Sequence, residues 1–189
     1  TMAVKTMLEI AEDQDMSTGL VATSTITHAT PASFAAHVDY RKKEHEIAIQ
    51  YAQQEIDVIL GGGKKFWPDS LITAYVNRGA QYISDISAPI AHDKRLLGLF
   101  AEKALPSVHD GRSPTTTEMA RLAIERLDGN PNGFFVMIEE SQVDWGGHSN
   151  SAEYIQGEMQ SLNDLVNYAL DYQKQHPEVL VLLTADHEC

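Results

Sequence analysis

Cysteine is almost missing from this chain: Cys189 stands alone at the terminus, so no disulfide can close within it, and cysteine use leaves the redox compartment unread. Positive charge is scarce too, with 14 Lys and Arg against 27 Asp and Glu and a formal charge of −13, which argues against nucleic acid as a partner. No apolar run approaches the length needed to cross a bilayer, and no basic region followed by an apolar one opens the chain as an export signal does. Repeats, low-complexity tracts and linkers are lacking as well, so the 189 residues, 43% of them hydrophobic, read as one domain, 1–189, with one good-sized core and an acidic surface. Gly61-Gly-Gly63 is not followed by Gly-Lys-Ser/Thr, so it reads as a tight turn and not as a nucleotide-binding loop.

What the chain does have is a regular alternation of short apolar runs with helix-period segments. Val4, Met7, Leu8 and Ala11 predict a helix over Val4 to Asp13, and Gly19 then resets the chain into a strand through Ile26. Pro31 suits the first turn of a helix running through Phe34 and Val38 towards Arg41. Glu46 to Glu55 is helical, Asp57 to Leu60 is a strand, and Asp69 caps a helix through Val76 that Gly79 stops. Gln81 to Ile83 and Leu96 to Phe100 are further strands, and Ser113-Pro114 announces a helix with Pro at its first position. Phe134 to Ile138 is a buried strand, Glu153 to Gln175 a long helix spaced to pack on the sheet, and Val179 to Leu183 a second buried strand beyond Pro177. The alternation predicts an α/β fold of three layers, a mainly parallel sheet with helices on both faces.

Chemistry-bearing residues gather where these strands end. Glu139 closes one strand, and Asp144 and His148, four residues apart, share a face if the segment takes a helical turn. Taken alone, Asp-x-x-x-His favours a solvated loop whose His caps the next helix. Asp186-His187 leaves the end of the next strand, and His28 and Thr30 leave the end of the first. A lone His28 reads as a core or turn residue, Thr30 as a helix N-terminus signal, and Arg41 in Arg41-Lys-Lys-Glu-His-Glu46 as part of a solvated face. Ligands of parallel α/β sheets collect beyond the carboxyl ends of the strands, and three such ends carrying acid, imidazole or hydroxyl point to a metal site there.

Thr27-His28-Ala29-Thr30-Pro31-Ala32, Glu139 with Asp144 and His148, and Thr184-Ala185-Asp186-His187-Glu188 together resemble bacterial alkaline phosphatase, in order and over nearly the whole chain. Gly61-Gly-Gly63 with Phe66, and Arg41 eleven residues beyond Thr30, add to the resemblance. The resemblance implies two zinc ions, one on Asp144 and His148 and one on Asp186 and His187, and one magnesium on Glu139 and Thr30. Carboxylate with imidazole suits zinc, and carboxylate with hydroxyl oxygen suits magnesium. It further implies that Arg41 clamps phosphate, that His28 stands on the phosphate side behind the metal ligands, and that phosphate monoesters are hydrolysed through a phosphoserine to inorganic phosphate. A periplasmic or secreted location and a homodimer are implied as well.

The sequence departs from the family at two positions it contains: Glu140 stands where a Gly is usual, beside Glu139, and Cys189 where Thr is common. The chain begins in helical periodicity and stops just after Asp186-His187-Glu188, which reads as an internal, incomplete piece of the domain. By the same resemblance the serine nucleophile, a bridging aspartate and a last zinc-binding histidine lie outside it. The alternative reading is therefore a non-catalytic fragment or scaffold that binds metal weakly and, with a sheet edge exposed, is of low stability or prone to associate. A phosphomutase or sulfatase relative of the same architecture is a third reading, against which the Thr30-Pro31 and Asp144-to-His148 segments argue.

Overall fold

The computed structural model describes residues 3–188; the Cys189 departure lies outside them. Thr6 accepts from the Glu9 N–H at 3.2 Å while the Glu9 carboxylate accepts from the Thr6 N–H at 2.8 Å. This reciprocal capping starts helix α1 at Met7–Glu12, later than the apolar stripe suggests, and leaves Val4 exposed. The chain then alternates as β1 (Ser17–Thr25), α2 (Ala29–Ala35), α3 (Glu44–Gln53), β2 (Val58–Gly62), α4 (Asp69–Asn77), β3 (Gln81–Ile83) and β4 (Leu96–Leu99). It continues through α5 (Thr116–Leu127), β5 (Phe134–Glu139), α6 (Gln142–His148) and α7 (Ala152–Gln175).

The five strands form one sheet in the order β3-β4-β2-β1-β5, and every pairing is parallel. Strand alternation sorts the core into two clusters. Leu20, Ile59, Leu97 and Met137 face α1 to α4 with Tyr51, Trp67 and Tyr75, while Val21, Val58, Leu60 and Leu96 face α5 through Met119, Ala123 and Leu127. The three-layer α/β architecture is thus as the sequence predicts. Each fully buried aliphatic side chain in these layers contributes about 1.5–3 kcal/mol by leaving water.

Four expectations change. Helix α2 stops at Ala35, because Ala36 turns extended (φ −133°, ψ 151°), so Arg41 rides on the connection to α3 and not on a helix. Helix α5 starts at Thr116 under a Thr115/Glu118 capping box, which puts Pro114 outside it, after a cis Ser113–Pro114 bond. Gly61 and Gly62 belong to β2, and the chain turns only at Gly63, whose φ is 97°. Glycine is needed at 62 because a Cβ there would overlap the Lys103 carbonyl oxygen and crowd Ala104.

The fourth change concerns Val179 to Leu183, which is unpaired: β5 pairs with β1 alone. Val179 is tied back to the end of α7, its N–H donating to His176 O at 3.0 Å and its carbonyl accepting from Gln173 Nε2 at 2.9 Å. Leu180 and Leu182 are consequently 76% and 75% exposed, the opposite of a buried strand. As an edge strand, β5 buries only Met137. Helix α7 packs on α5 and α6, with Glu158 and Leu165 as its buried residues.

Gly62→Ala is expected to lower the thermal midpoint by several degrees, corresponding to about 1–3 kcal/mol of overpacking, whereas Gly129→Ala, where a Cβ meets nothing within 4 Å, leaves it within about one degree. Differential scanning calorimetry of the two variants checks this.

Candidate metal centre

The end of β1 carries a run of hydroxyls, Thr23-Ser24-Thr25 and then Thr27, every one of them buried. A hydroxyl buried there needs a partner, and each of these finds one on a neighbouring element. Thr23 Oγ1 accepts from the Ser141 N–H at 3.0 Å, and the Ser24 N–H donates to Ser141 Oγ at 3.1 Å, which fixes the entry into α6. The Ser24 hydroxyl proton is shared between the Thr25 carbonyl at 3.1 Å and a Glu139 carboxylate oxygen at 3.3 Å, and Ser141 Oγ donates to that same carboxylate oxygen at 2.6 Å. Thr25 and Thr27 Oγ1 donate to Glu44 at 2.5 and 2.8 Å.

Glu139 is thereby aimed by two hydroxyls, and the β1–β5 register explains how: Ala22 lies opposite Glu139, two residues before Ser24. The segment after β5 does take a helical turn, α6, which brings Asp144 Oδ1 to 3.4 Å from His148 Nε2 on one face. His28 stands at the start of α2 with its ring edge-on to Trp145 of α6, centroids 6.2 Å apart, so the first turn of α2, with Thr30 in it, lies next to α6. On the exposed terminal segment His187 Nε2 is 3.5 Å from Asp186 Oδ2. The Glu188 carbonyl and the Asp186 carboxylate, with Asp144 beyond them, hold the His187 imidazole above its ordinary pKa. Arg41 is exposed, and its guanidinium makes no ion pair or hydrogen bond among the described residues.

Carboxylate, imidazole and hydroxyl oxygen are the donors that zinc and magnesium take, so the donor set fits those ions. The donors stand in pairs: among the described residues no three His, Cys, Asp or Glu side chains converge into one cage.

Glu140, the extra acid beside Glu139, is no rival ligand. Successive strand residues point to opposite faces, and Glu140 turns away to meet Arg112 Nη1 at 2.5 Å, Thr116 Oγ1 at 2.6 Å and Ser161 Oγ at 2.8 Å. Arg112 Nη2 bonds Glu158 at 2.6 Å, and all three charged side chains are at most 1% exposed. Burial raises the Glu140 carboxyl above its usual range, against the Thr116 hydroxyl and the Arg112 charge. Sequence reading missed Arg112, Ser24, Ser141 and Glu44; the only signal for any of them was four hydroxyls in five residues at a strand end.

An all-parallel α/β sheet with acid, imidazole and hydroxyl donors at the carboxyl ends of adjacent strands defines a scaffold for hard and borderline cations. The alkaline phosphatase profile matches residues 1–189, and the chain belongs to the alkaline phosphatase family. Alkaline phosphatase 3 of Bacillus subtilis is 40% identical, covering 97% of this chain and 42% of that protein. Alkaline phosphatase of Escherichia coli K12 is 28% identical, with 96% and 51% covered. The solved alkaline phosphatase of the Antarctic bacterium TAB5 superposes with a TM-score of 0.85 at 33% identity, over 93% of this chain and 54% of that one. A mutant of that enzyme, solved with Mg bound, superposes with a TM-score of 0.86. The chain thus spans about half the length of the relatives it matches.

Arg112→Met leaves Glu140 and Glu158 buried without their cation and is expected to cost about 3–5 kcal/mol of unfolding free energy; Glu140→Gln costs less, since Arg112 keeps Glu158. Urea denaturation followed by circular dichroism checks the order of the two.

Proposed function

We propose that this chain carries metal-binding residues of a phosphate monoester hydrolase of the alkaline phosphatase kind. The observation that supports this most is the pairing of Glu139, oriented by Ser24 and Ser141, with Asp144 and His148 one helical turn further on. In this reading Asp144 and His148 hold one zinc ion, Asp186 and His187 a second, and Glu139 with Thr30 a magnesium ion. Zinc held by these residues would supply Lewis-acid stabilisation of charge developing on oxygen in a displacement at phosphorus. Arg41 offers the planar fork that pairs with two phosphate oxygens. His28, whose ring meets Trp145 edge-on, stands in this reading behind the ligand positions on the phosphate side. The whole protein's reaction, in this reading, is hydrolysis of phosphate monoesters through a phosphoserine, releasing inorganic phosphate, in a periplasmic or secreted homodimer. No described helix is long and apolar enough to cross a membrane. The match to alkaline phosphatase along the whole chain weighs against a phosphomutase or sulfatase.

The pairwise arrangement of donors supports a second reading for the chain by itself, a scaffold that binds metal weakly. Zinc calorimetry on the 189-residue chain and p-nitrophenyl phosphate hydrolysis by the full-length protein separate the two. For the enzyme reading, hydrolysis by the full-length protein depends on zinc and magnesium, and Asp144→Asn lowers both zinc affinity and kcat/KM by at least the ~10–100-fold that even outer partners of metal ligands are worth. Hydrolysis that survives exhaustive chelation would falsify it.

A further inference from the structure

Arg41 sits on the connection between α2 and α3, residues 36–43, where no helix or strand holds it. A side chain meant to meet an anion from such a connection must have its backbone held in place, or binding loses the free energy of ordering it. The hold comes from α3 at both ends of the connection. At the near end, Gln50 clasps the His37 backbone twice: its Oε1 accepts from the His37 N–H at 2.7 Å and its Nε2 donates to the His37 carbonyl at 3.0 Å. At the far end stands Glu44, the first residue of α3 and three residues beyond Arg41.

An acid in the first turn of a helix ordinarily serves its own helix, and the N-cap of α3, Lys43, makes no side-chain capping bond. Glu44 instead reaches to the end of β1, where one carboxylate oxygen accepts from both Thr25 Oγ1 and Thr27 Oγ1. Thr27 is fully buried and Thr25 8% exposed, so these are charge-assisted bonds in a partly dry setting, the stronger kind. Of the residues beside them, Ser24 donates to Glu139 on the metal side, and His28 opens α2. Lys43 has its own partners, Asp39 at 2.8 Å and Glu46 at 3.5 Å, so it does not compete for Glu44, and Arg41 is left with its guanidinium unengaged.

We propose that Glu44 is a positioning residue for Arg41: by clasping Thr25 and Thr27 it fixes the Arg41-bearing connection to the strand end that carries the metal-side groups, so that the guanidinium meets a phosphate dianion without first being ordered. The proposal rests on the phosphate-arm reading of Arg41.

The test is a double-mutant cycle on the full-length, metal-loaded protein, with inorganic phosphate as the probe and calorimetry as the readout. Arg41→Ala, Glu44→Ala and the double variant are compared with the parent. Glu44→Ala is expected to weaken phosphate about tenfold and raise KM in step, and to weaken it no further once Arg41 is gone. Hydrogen exchange in the metal-free protein is expected to quicken across 38–43 in Glu44→Ala, while Glu44→Gln, which keeps an acceptor oxygen, restores most of the protection and the affinity. An equal loss of affinity with and without Arg41 overturns the proposal, since Glu44 then acts on the fold alone. An Arg41→Ala variant that binds phosphate as well as the parent overturns the phosphate-arm reading, and the proposal with it. If Glu44→Ala does not fold, the same cycle is run with Glu44→Gln, where an effect of about two- to threefold confined to the Arg41 background is expected and an effect equal in both backgrounds overturns the proposal.

Discussion

The hydroxyl groups at the end of β1 are the constraint on which the site depends. Within five residues, Thr23 and Ser24 hold the entry into α6, Ser24 holds Glu139, and Thr25 with Thr27 hold Glu44 at the start of α3. Water is a poor alternative for these hydroxyls, because the strand end is buried, with Thr25 at 8% the most exposed of them. Each bond therefore fixes the placement of a neighbouring element as well as satisfying a donor. A single strand end sets the positions of three others relative to one another, and the groups proposed to bind metal and phosphate inherit that placement.

Much of the architecture was legible because the short apolar runs were bounded by turn signals and the period-3.6 stripes were clean. Gln81 to Ile83 was read with its observed bounds, and the segment carrying Asp144 and His148 takes the helical turn on which their shared face was conditional. Misreadings came where tertiary partners overrode local signals. Val179 to Leu183 looks like a core strand in composition, yet apolar side chains do not make a strand without a ladder partner, and Gln173 and His176 hold the start of that segment against α7. Pro114 looked like a first helical residue, but the Thr115/Glu118 capping box starts the helix two residues later, at Thr116. At the site, the ligand-type residues could be read from residue type and strand end, while their supports could not. Ser and Thr in a strand look the same whether they face solvent or hold a carboxylate, and Glu44 within a run of charges looked like one more solvated acid.

Glu139, which ends β5, and Glu140, just beyond it, divide the molecule between them. Glu139 faces the hydroxyls of β1, and Glu140 enters the layer of α5 and α7 to meet a guanidinium already paired with Glu158. A buried group of two carboxylates and one guanidinium does not contribute much net stability, because the loss of hydration offsets most of the attraction. Its effect is to make one arrangement of α5, α7 and the strand end far better than its neighbours.

That arrangement also protects the alignment of β5. A strand shifted by one residue exchanges its two faces, and here such a shift would bring Glu140 to the place of Glu139, one carboxylate for another. The hydroxyl of Ser24 and any cation bound beside it would meet the same functional group and could not tell the difference. Arg112 can: the shifted strand offers its Nη1 Ser141 in place of an acid, and leaves Glu158 as its one carboxylate partner in a dry layer. Arg112, on the far side of the sheet, thus acts as a proofreader for an error that the site itself would accept.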